Sequence, residues 1–293
     1  MGGSFAGKVV IVTGAGGGLG RAYAHALAAE GAGVIVNDIR REAAEAVVAE
    51  VVAAGGKAVA NSDDITSMAG AEAIVAAGVN AFGDVHGVVN NAGIVRDRMF
   101  ASLTEDDWDL VVKVHLKGHF CITQTLVKRW RDQVKAGVKV DARIVNTSSG
   151  AGLQGSVGQS NYAAAKGGIA SLTLVQAAEL ARYGVTANAL APAARTGMTE
   201  KVFADLMARK DDAAFDHYAP ENVAPLVVWL CSPLSKDVSG RVFEVEGGKV
   251  SVADGWRTGE VADKQARWNP EELTEVIHGL IERGRKPQKV YGT

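Results

Sequence analysis

Cysteine is scarce in this chain of 293 residues, since only Cys121 and Cys231 carry thiols. Two cysteines can build neither a disulfide framework nor a metal-ligand set, so we expect no metal and a reducing compartment, the cytoplasm. Strong charge of one sign is also missing, because 31 basic and 33 acidic residues give a formal net charge of −2. That balance argues against bulk binding of nucleic acid or of an anionic membrane.

Long apolar runs are missing as well. No run approaches the ~18 residues of a transmembrane helix, and the run over residues 9–12 is too short for the apolar part of a signal peptide. Membrane insertion is therefore not expected. The hydrophobic fraction of 47% and the charged fraction of 22% are instead typical of a soluble globular protein with a large core.

Short β-branched runs alternate with longer runs rich in alanine and glutamate. The pattern predicts strands over residues 9–13, 34–36, 57–61, 87–89, 142–146, 186–190 and 241–245. It predicts helices over residues 19–30, 42–54, 67–81, 104–135 and 161–183. Such alternation implies parallel βαβ units, so we expect a single-domain Rossmann-type α/β fold, a doubly wound parallel sheet of about seven strands with helices on both faces.

The first predicted strand runs into a glycine-rich loop and then directly into a helix. Glycines at 14, 18 and 20 let the turn tighten and let the backbone approach a pyrophosphate at the helix N-terminus. An unliganded glycine-rich turn is the alternative, but the place between strand and helix disfavours it. We therefore expect a dinucleotide to be bound by Gly14, Gly17, Gly18, Leu19 and Gly20.

Asp38 follows the second strand, about twenty residues after the glycine loop, where a carboxylate can bind ribose hydroxyls. The same carboxylate would repel a 2′-phosphate, so NAD is expected rather than NADP. Arg40 and Arg41 could instead receive that phosphate, although we favour their interpretation as solvated charges at a helix start.

The next two strand ends supply further candidate cofactor contacts. Asp64, beside Ile65, could accept the amino group of adenine, and an N-cap role for Asp64 is an equally good interpretation. Asn91, Ala92 and Gly93 follow the fourth strand, where small residues let the backbone pass close to a cofactor.

Tyr162 and Lys166 stand four residues apart on a predicted helix and therefore share one face. Tyrosine titrates near 10, so a tyrosine base at neutral pH needs its pKa lowered by about two to three units. One ammonium about 4–5 Å away supplies on the order of 3–4 kcal/mol at an effective dielectric constant of ~20. The spacing thus predicts a tyrosine acid/base, with Ser149 orienting the substrate oxygen.

Over residues 8–248 these motifs resemble those of the short-chain dehydrogenase/reductase family. The resemblance implies that Tyr162 is the acid/base, that Ser149 positions the reacting oxygen, and that Lys166 binds the nicotinamide ribose and lowers the tyrosine pKa. It also implies that Pro192 lies beside the carboxamide. We therefore expect an NAD-binding domain over residues 1–248 and a packed C-terminal extension over 249–293, with a helix over 270–284.

The resemblance further implies a homodimer or homotetramer, because the long helices containing His115 and Tyr162 pair across a twofold axis in related enzymes. His115 itself departs from the family, where an asparagine commonly stands and its main chain holds a relay water. A packed histidine and a catalytic relay histidine are both open interpretations, and a main-chain relay is favoured over an imidazole relay. Residues 192–217 lack a strand pattern and are predicted to form a loop with short helices.

Histidine at position 115 is also typical of one branch of the family, the (3R)-hydroxyacyl-CoA dehydrogenases. Segments 96–100, 108–109, 158–162 and 224–231 share that similarity. The leading hypothesis is NAD-dependent oxidation of a small-molecule secondary alcohol, (3R)-3-hydroxyacyl-CoA to 3-oxoacyl-CoA, in lipid or sterol side-chain breakdown. The alternatives are a hydroxysteroid dehydrogenase and a nucleotide-sensing binding protein. Basic residues in 283–289 could meet CoA phosphates, although a solvated terminus is favoured.

Overall fold

One eight-stranded sheet forms the centre of the molecule. The structure is a computed structural model, and it describes residues 5–197, 207, 215–253, 255 and 257–293. Its strands are β1 (Val9–Thr13), β2 (Gly33–Asn37), β3 (Lys57–Asn61), β4 (Gly87–Asn90), β5 (Ala142–Thr147), β6 (Val185–Ala193), β7 (Val242–Glu246) and β8 (Lys249–Val252). Their order is β3-β2-β1-β4-β5-β6-β7-β8, and the first seven are parallel. The predicted doubly wound α/β fold is confirmed.

Helices cover both faces of this sheet. They are α1 (Gly18–Ala29), α2 (Arg41–Ala53), α3 (Met68–Phe82), α4 (Glu105–Val112), α5 (Gly118–Lys135), α6 (Gly150–Gln154), α7 (Ser160–Leu180), α8 (Ala224–Cys231) and α9 (Pro270–Arg283). Alternate residues of β1 point to opposite faces, so Val10 and Val12 join one buried cluster while Val9 and Ile11 join the other. Both faces are therefore packed, as a parallel sheet requires.

The structure corrects four details of the prediction. An eighth strand, β8, pairs antiparallel with β7 where we expected a tail; its four residues are all exposed, so it has no buried apolar pattern. Strand β6 runs on to Ala193, which places Pro192 at a strand end. The predicted helix over 104–135 is interrupted by a π-helical turn, Lys113–Lys117. Helices α6 and α8 were not predicted.

Of the predicted loop over residues 192–217, positions 198–206 and 208–214 lie outside the described residues. Among the residues that are described, no helix is long and apolar enough to cross a bilayer. Within the same part of the chain, no cluster of three histidine, cysteine or acidic side chains could hold a metal ion.

A buried amide network joins β4 and β5 to the helices behind them. The Asn90 side-chain amide donates to Asn146 Oδ1 and to Thr123 Oγ1, each at 3.0 Å. The Asn146 amide in turn donates to Thr173 Oγ1 at 2.9 Å and to Gln176 Oε1 at 2.8 Å. Because these amides have no access to water, the network fixes α5 and α7 against the two central strands.

We expect Asn146→Ala to lower the free energy of unfolding by roughly 2–4 kcal/mol, because buried partners in three residues lose a hydrogen bond. Urea unfolding followed by circular dichroism measures this loss. Thr125→Val is the control, since it removes one bond, from Thr125 Oγ1 to the Cys121 carbonyl, and should cost about 1 kcal/mol or less. Equal losses in the two variants would contradict a network role.

Candidate active site

A cavity of about 830 Å³ opens where the parallel strands end at their carboxyl termini. Ligands of open α/β sheets bind at this edge, and the volume is that of a small-molecule site. All the predicted site residues line it except Gly20 and Ser149. Further lining residues that sequence analysis did not single out as contacts include Gly16, Arg40, Ile94, Leu110, Lys113, Val114, Thr147, Ser148 and Thr196.

The glycine loop between β1 and α1 is shaped by close backbone contacts. Gly14 has φ +62°, and a Cβ there would lie 2.7 Å from Ala92 Cα. A Cβ at Gly20 would overlap the Gly14 carbonyl oxygen, so only glycine lets the first turn of α1 pack this closely against the loop. Among the described residues no side chain caps the α1 N-terminus, and Gly17, Gly18 and Leu19 there line the cavity, so the N–H groups of this first turn could bind a pyrophosphate.

Asn91 and Thr13 hold the loop in place. The Asn91 side-chain amide donates to the carbonyls of Thr13 and Gly14, at 2.9 and 3.2 Å. Thr13 Oγ1 in turn accepts from the N–H groups of Asn91 and Ala92, at 3.0 and 3.1 Å. These residues therefore shape the loop through the backbone, a role that the sequence pattern alone did not assign to Thr13.

Asp38 ends β2 with its carboxylate buried beside the glycine loop. Oδ2 accepts from Gly16 N–H at 3.0 Å, and Oδ1 accepts from Arg40 N–H and Nε at 3.0 and 3.1 Å. Burial raises the pKa of Asp38, but these hydrogen bonds outweigh burial and hold the pKa below its ordinary value. The carboxylate is therefore charged and oriented. Arg40 pairs with it, whereas Arg41 lies near Glu45.

Asp64 and Ile65 lie on the same edge of the cavity, after β3. Asp64 accepts from Thr66 N–H and Oγ1, both at 2.8 Å. The helix α3 is instead capped by Ser67, whose Oγ accepts from Gly70 N–H at 3.0 Å. The N-cap interpretation of Asp64 is therefore wrong, while its predicted adenine contact stays a prediction. The side chain of Ile65 packs against Gly118.

Helix α7 carries Tyr162 and Lys166 on one face, and the loop after β5 brings Ser149 to them. Lys166 Nζ lies 5.6 Å from the centre of the Tyr162 ring and donates to the Thr147 carbonyl at 2.6 Å. Ser149 begins α6, where its Oγ accepts from Ala151 N–H at 3.2 Å. The structure thus brings together Tyr162, Lys166 and Ser149, three of the four predicted catalytic residues.

The protonation states differ from the sequence prediction. Burial raises the pKa of Tyr162 despite its hydrogen bond with Ser149, and burial lowers the pKa of Lys166 to about 7. The expectation that Lys166 brings the tyrosine pKa down is not met in the protein alone. The reason is that both groups are buried. The desolvation penalty on each charged form is larger than the attraction between the ammonium and the phenolate.

His115 lies in the π-helical turn with its ring buried and edge-on to Tyr162, at 5.2 Å between ring centres. Nε2 lies 2.7 Å from the Ile94 carbonyl oxygen and 3.0 Å from Ile94 N, while Nδ1 has no hydrogen-bond partner among the described residues. Burial and the charge of Lys166 lower the pKa of His115 to about 3. The neutral ring thus tethers the chain after β4, and this low pKa disfavours an imidazole relay at neutral pH.

Two residues near the site escaped the sequence analysis. His119 stands one helical turn after His115, and its Nε2 accepts from Thr147 N–H at 3.3 Å. The spacing of four could have suggested it. Tyr291 lies against Gly150 and forms a parallel bridge with Ser156, so the tail reaches the loop that leads into the catalytic helix. No sequence signal marks Tyr291.

Comparison with known proteins agrees with this site. A family model described as short chain dehydrogenase matches residues 8–207, and the chain belongs to this family of oxidoreductases. It is similar to hydroxyacyl-CoA dehydrogenase ChsB1 of Mycobacterium tuberculosis, with 45% identity over 97% of this chain and 92% of the relative. The resemblance predicted from the sequence is confirmed.

Two further relatives extend the comparison. Peroxisomal multifunctional enzyme type 2 of Mus musculus is 44% identical over 95% of this chain, which spans 40% of that longer protein. A crystal structure of a short chain dehydrogenase from Mycobacterium avium is 55% identical and superposes with a TM-score of 0.91, covering 99% of this chain and 100% of that one.

Stability should fall as the pH is lowered, because His115 is held neutral in the folded protein. Its pKa of about 3 lies below the unfolded value near 6.5, so the unfolded chain binds a proton first and stability is lost as pH falls below 6.5. Between pH 7.5 and pH 5.0 we expect His115 alone to account for ~2 kcal/mol of lost unfolding free energy.

Urea titrations of the wild-type protein and of His115→Asn at the two pH values measure the contribution of His115 to the loss of unfolding free energy. The variant should lose correspondingly less stability across the interval, because asparagine does not titrate there. A pH dependence identical to that of the wild-type protein would show that folding does not shift the pKa of His115 and would contradict this prediction.

Proposed function

We propose that this protein is an NAD-dependent dehydrogenase that oxidises a secondary alcohol, the 3-hydroxyl of a (3R)-3-hydroxyacyl-CoA, to the ketone in lipid or sterol side-chain breakdown. The observation that carries the proposal is that Tyr162 and Lys166, with Ser149 beside Tyr162, share one cavity with Asp38 and the glycine loop. Such a cavity can hold a dinucleotide between the acid and the reacting group.

The residues present fit NAD. The glycine loop lines the cavity at the start of α1, where a pyrophosphate could be bound, and the charged Asp38 carboxylate suits two ribose hydroxyls. Lys166 would hold the nicotinamide ribose, and Pro192 at the end of β6 lies on the cavity wall. NAD, when bound, supplies the hydride acceptor and a positive charge at the reacting end.

In the proposed mechanism, Ser149 and Tyr162 both hydrogen-bond the alcohol oxygen and so fix its position. Tyr162 accepts the hydroxyl proton as the carbinol carbon is oxidised, and in the reverse direction it returns that proton to the ketone oxygen. Because burial raises the pKa of Tyr162, its resting form is the neutral phenol. Oxidation therefore needs positive charge near the ring, which Lys166 supplies when protonated.

We infer the substrate class from the relatives of this chain and not from the geometry of the cavity. One relative is named a hydroxyacyl-CoA dehydrogenase, and it aligns over almost the entire chain. A hydroxysteroid remains the second candidate, because both substrates present a secondary alcohol to the same three side chains. A nucleotide-sensing protein does not need these three residues, and their joint presence favours an enzyme. The cytoplasmic location and the homodimer or homotetramer stay predictions.

The deciding experiment is NADH production, followed by absorbance, with (3R)-3-hydroxyacyl-CoAs of several chain lengths beside hydroxysteroids. We expect turnover of the acyl-CoAs and weaker turnover of steroids. Absence of NADH production with every alcohol offered would contradict an enzymatic role and support the sensing alternative.

Tyr162→Phe should lower kcat at least a hundredfold, because the ring still packs but can neither accept nor return a proton; this is ~2.7 kcal/mol or more of lost transition-state stabilisation. NADH affinity, measured by fluorescence titration, should stay within threefold. Tyr183→Phe is the matched control, since Tyr183 stacks with Arg182 after α7, and it should retain full activity. More than a tenth of the rate in Tyr162→Phe would refute the assigned role.

Asp38 should determine cofactor choice. The wild-type protein should use NAD at least tenfold more efficiently than NADP, measured as kcat/KM, and Asp38→Ala should shift the ratio toward NADP by at least tenfold. The physical reason is that the change removes the repelling carboxylate and frees the Arg40 guanidinium for a phosphate.

The double variant Asp38→Ala with Arg40→Ala tests that reason, because it lacks the freed cation and should gain little NADP activity. Arg41→Ala is the matched control, since Arg41 faces Glu45 rather than Asp38. A wild-type protein that uses both cofactors equally would contradict the argument.

A further inference from the structure

His119 lies in the first turn of α5 with its ring almost fully buried. It follows His115 by one helical turn, and both side chains are buried. His115 contacts the backbone of Ile94 after β4, whereas His119 contacts the backbone of Thr147 at the end of β5. One helix therefore holds two neighbouring strand ends at the cavity.

The hydrogen bond between His119 and Thr147 takes the place of a sheet hydrogen bond, because β4 ends before it reaches Thr147. The pairing of β4 with β5 ends at Asn90 and Asn146, while the pairing of β5 with β6 goes on to Thr147 and Leu190. Ser148 N–H donates to the Leu190 carbonyl on the β6 side. Thr147 N–H faces the side where β4 has ended, and His119 Nε2 accepts it at 3.3 Å.

The other main-chain group of Thr147 holds Lys166. Its carbonyl oxygen accepts from Lys166 Nζ at 2.6 Å, which is the one side-chain hydrogen bond given by this ammonium among the described residues. His119 and Lys166 are thus attached to the N–H and the C=O of a single residue. Ser149 stands two residues after Thr147, at the N-cap of α6, so its position also depends on the end of β5.

Nε2 can accept from Thr147 N–H only while the imidazole is neutral. Burial comes first among the causes that lower the pKa of His119, followed by the charge of Lys166 and the neighbouring His115 imidazole, while hydrogen bonds to the backbone of His115 and Asn90 act in the opposite direction. The ring therefore remains an acceptor throughout the pH range in which Lys166 changes its charge.

We infer that His119 is a positioning residue of the reaction: by fixing Thr147 it holds the carbonyl that orients the Lys166 ammonium beside Tyr162. The inference rests on the proposed function, in which Lys166 serves the tyrosine and holds the cofactor ribose. It differs from a packing role in one respect. The ring nitrogen matters, so an isosteric apolar side chain is expected to fold and yet to misplace Lys166.

The test compares His119→Leu, which removes the acceptor, with His119→Gln, whose Oε1 can reach the position of Nε2. We expect His119→Leu to lower kcat at least tenfold and to weaken NADH binding at least fivefold in fluorescence titration, with KM for the alcohol within threefold. His119→Gln should restore both kcat and NADH binding to within threefold of the wild-type values.

His86→Leu is the matched control. His86 Nδ1 accepts from Val9 N–H at 3.2 Å, a bond of the same kind at the opposite end of the sheet. This variant should lose thermal stability and keep both kcat and NADH binding. If His119→Leu does not fold, His119→Asn takes its place, because its shorter amide cannot reach Thr147 N–H, and the same losses are expected.

Equal kcat and NADH binding in His119→Leu, His119→Gln and the wild-type protein would overturn the inference, as would equal deficits in the Leu and Gln variants. A wild-type protein that turns over no alcohol would instead refute the proposed function. In that case the difference in NADH binding between the Leu and Gln variants still decides the role of His119.

Discussion

The site depends on one buried ammonium, that of Lys166, which has no carboxylate partner in the part of the chain that the structure describes. Lys166 is almost inaccessible to solvent, and the single hydrogen bond it gives to the Thr147 carbonyl does not balance its desolvation, so its pKa falls to about 7. A cation in this state is sensitive to every neighbouring charge and dipole. The surrounding structure is arranged to keep those neighbours neutral and fixed.

Both buried histidines follow from that constraint. A protonated imidazole at position 115 or 119 would be repelled by the Lys166 ammonium, and burial holds each ring in the neutral form. A neutral imidazole still carries polar nitrogens. His115 uses one to contact the backbone of Ile94 after β4, and His119 uses one to contact the backbone of Thr147 at the end of β5. The π-helical turn Lys113–Lys117 lets His115 contact the chain after β4, and the regular helix α5 follows this turn.

Sequence analysis located the central sheet well, because buried parallel strands consist of short β-branched runs between helices. It missed β8, whose residues are exposed, and α8, whose apolar residues show little helical periodicity. In the site, it identified Tyr162, Lys166 and Asp38 from motif spacing. It could not anticipate the direction of the Tyr162 pKa, because desolvation depends on packing, nor the tie between His119 and Thr147, which joins residues 28 positions apart.

The packing of His115 against Gly93 imposes an order on evolutionary change. A Cβ at position 93 would overlap the His115 ring, so alanine can enter position 93 only after a smaller side chain has replaced the histidine. In the opposite direction, a chain with alanine at 93 cannot acquire the histidine first. The two positions are therefore epistatic, and the one pair that this packing disfavours is alanine at 93 together with histidine at 115.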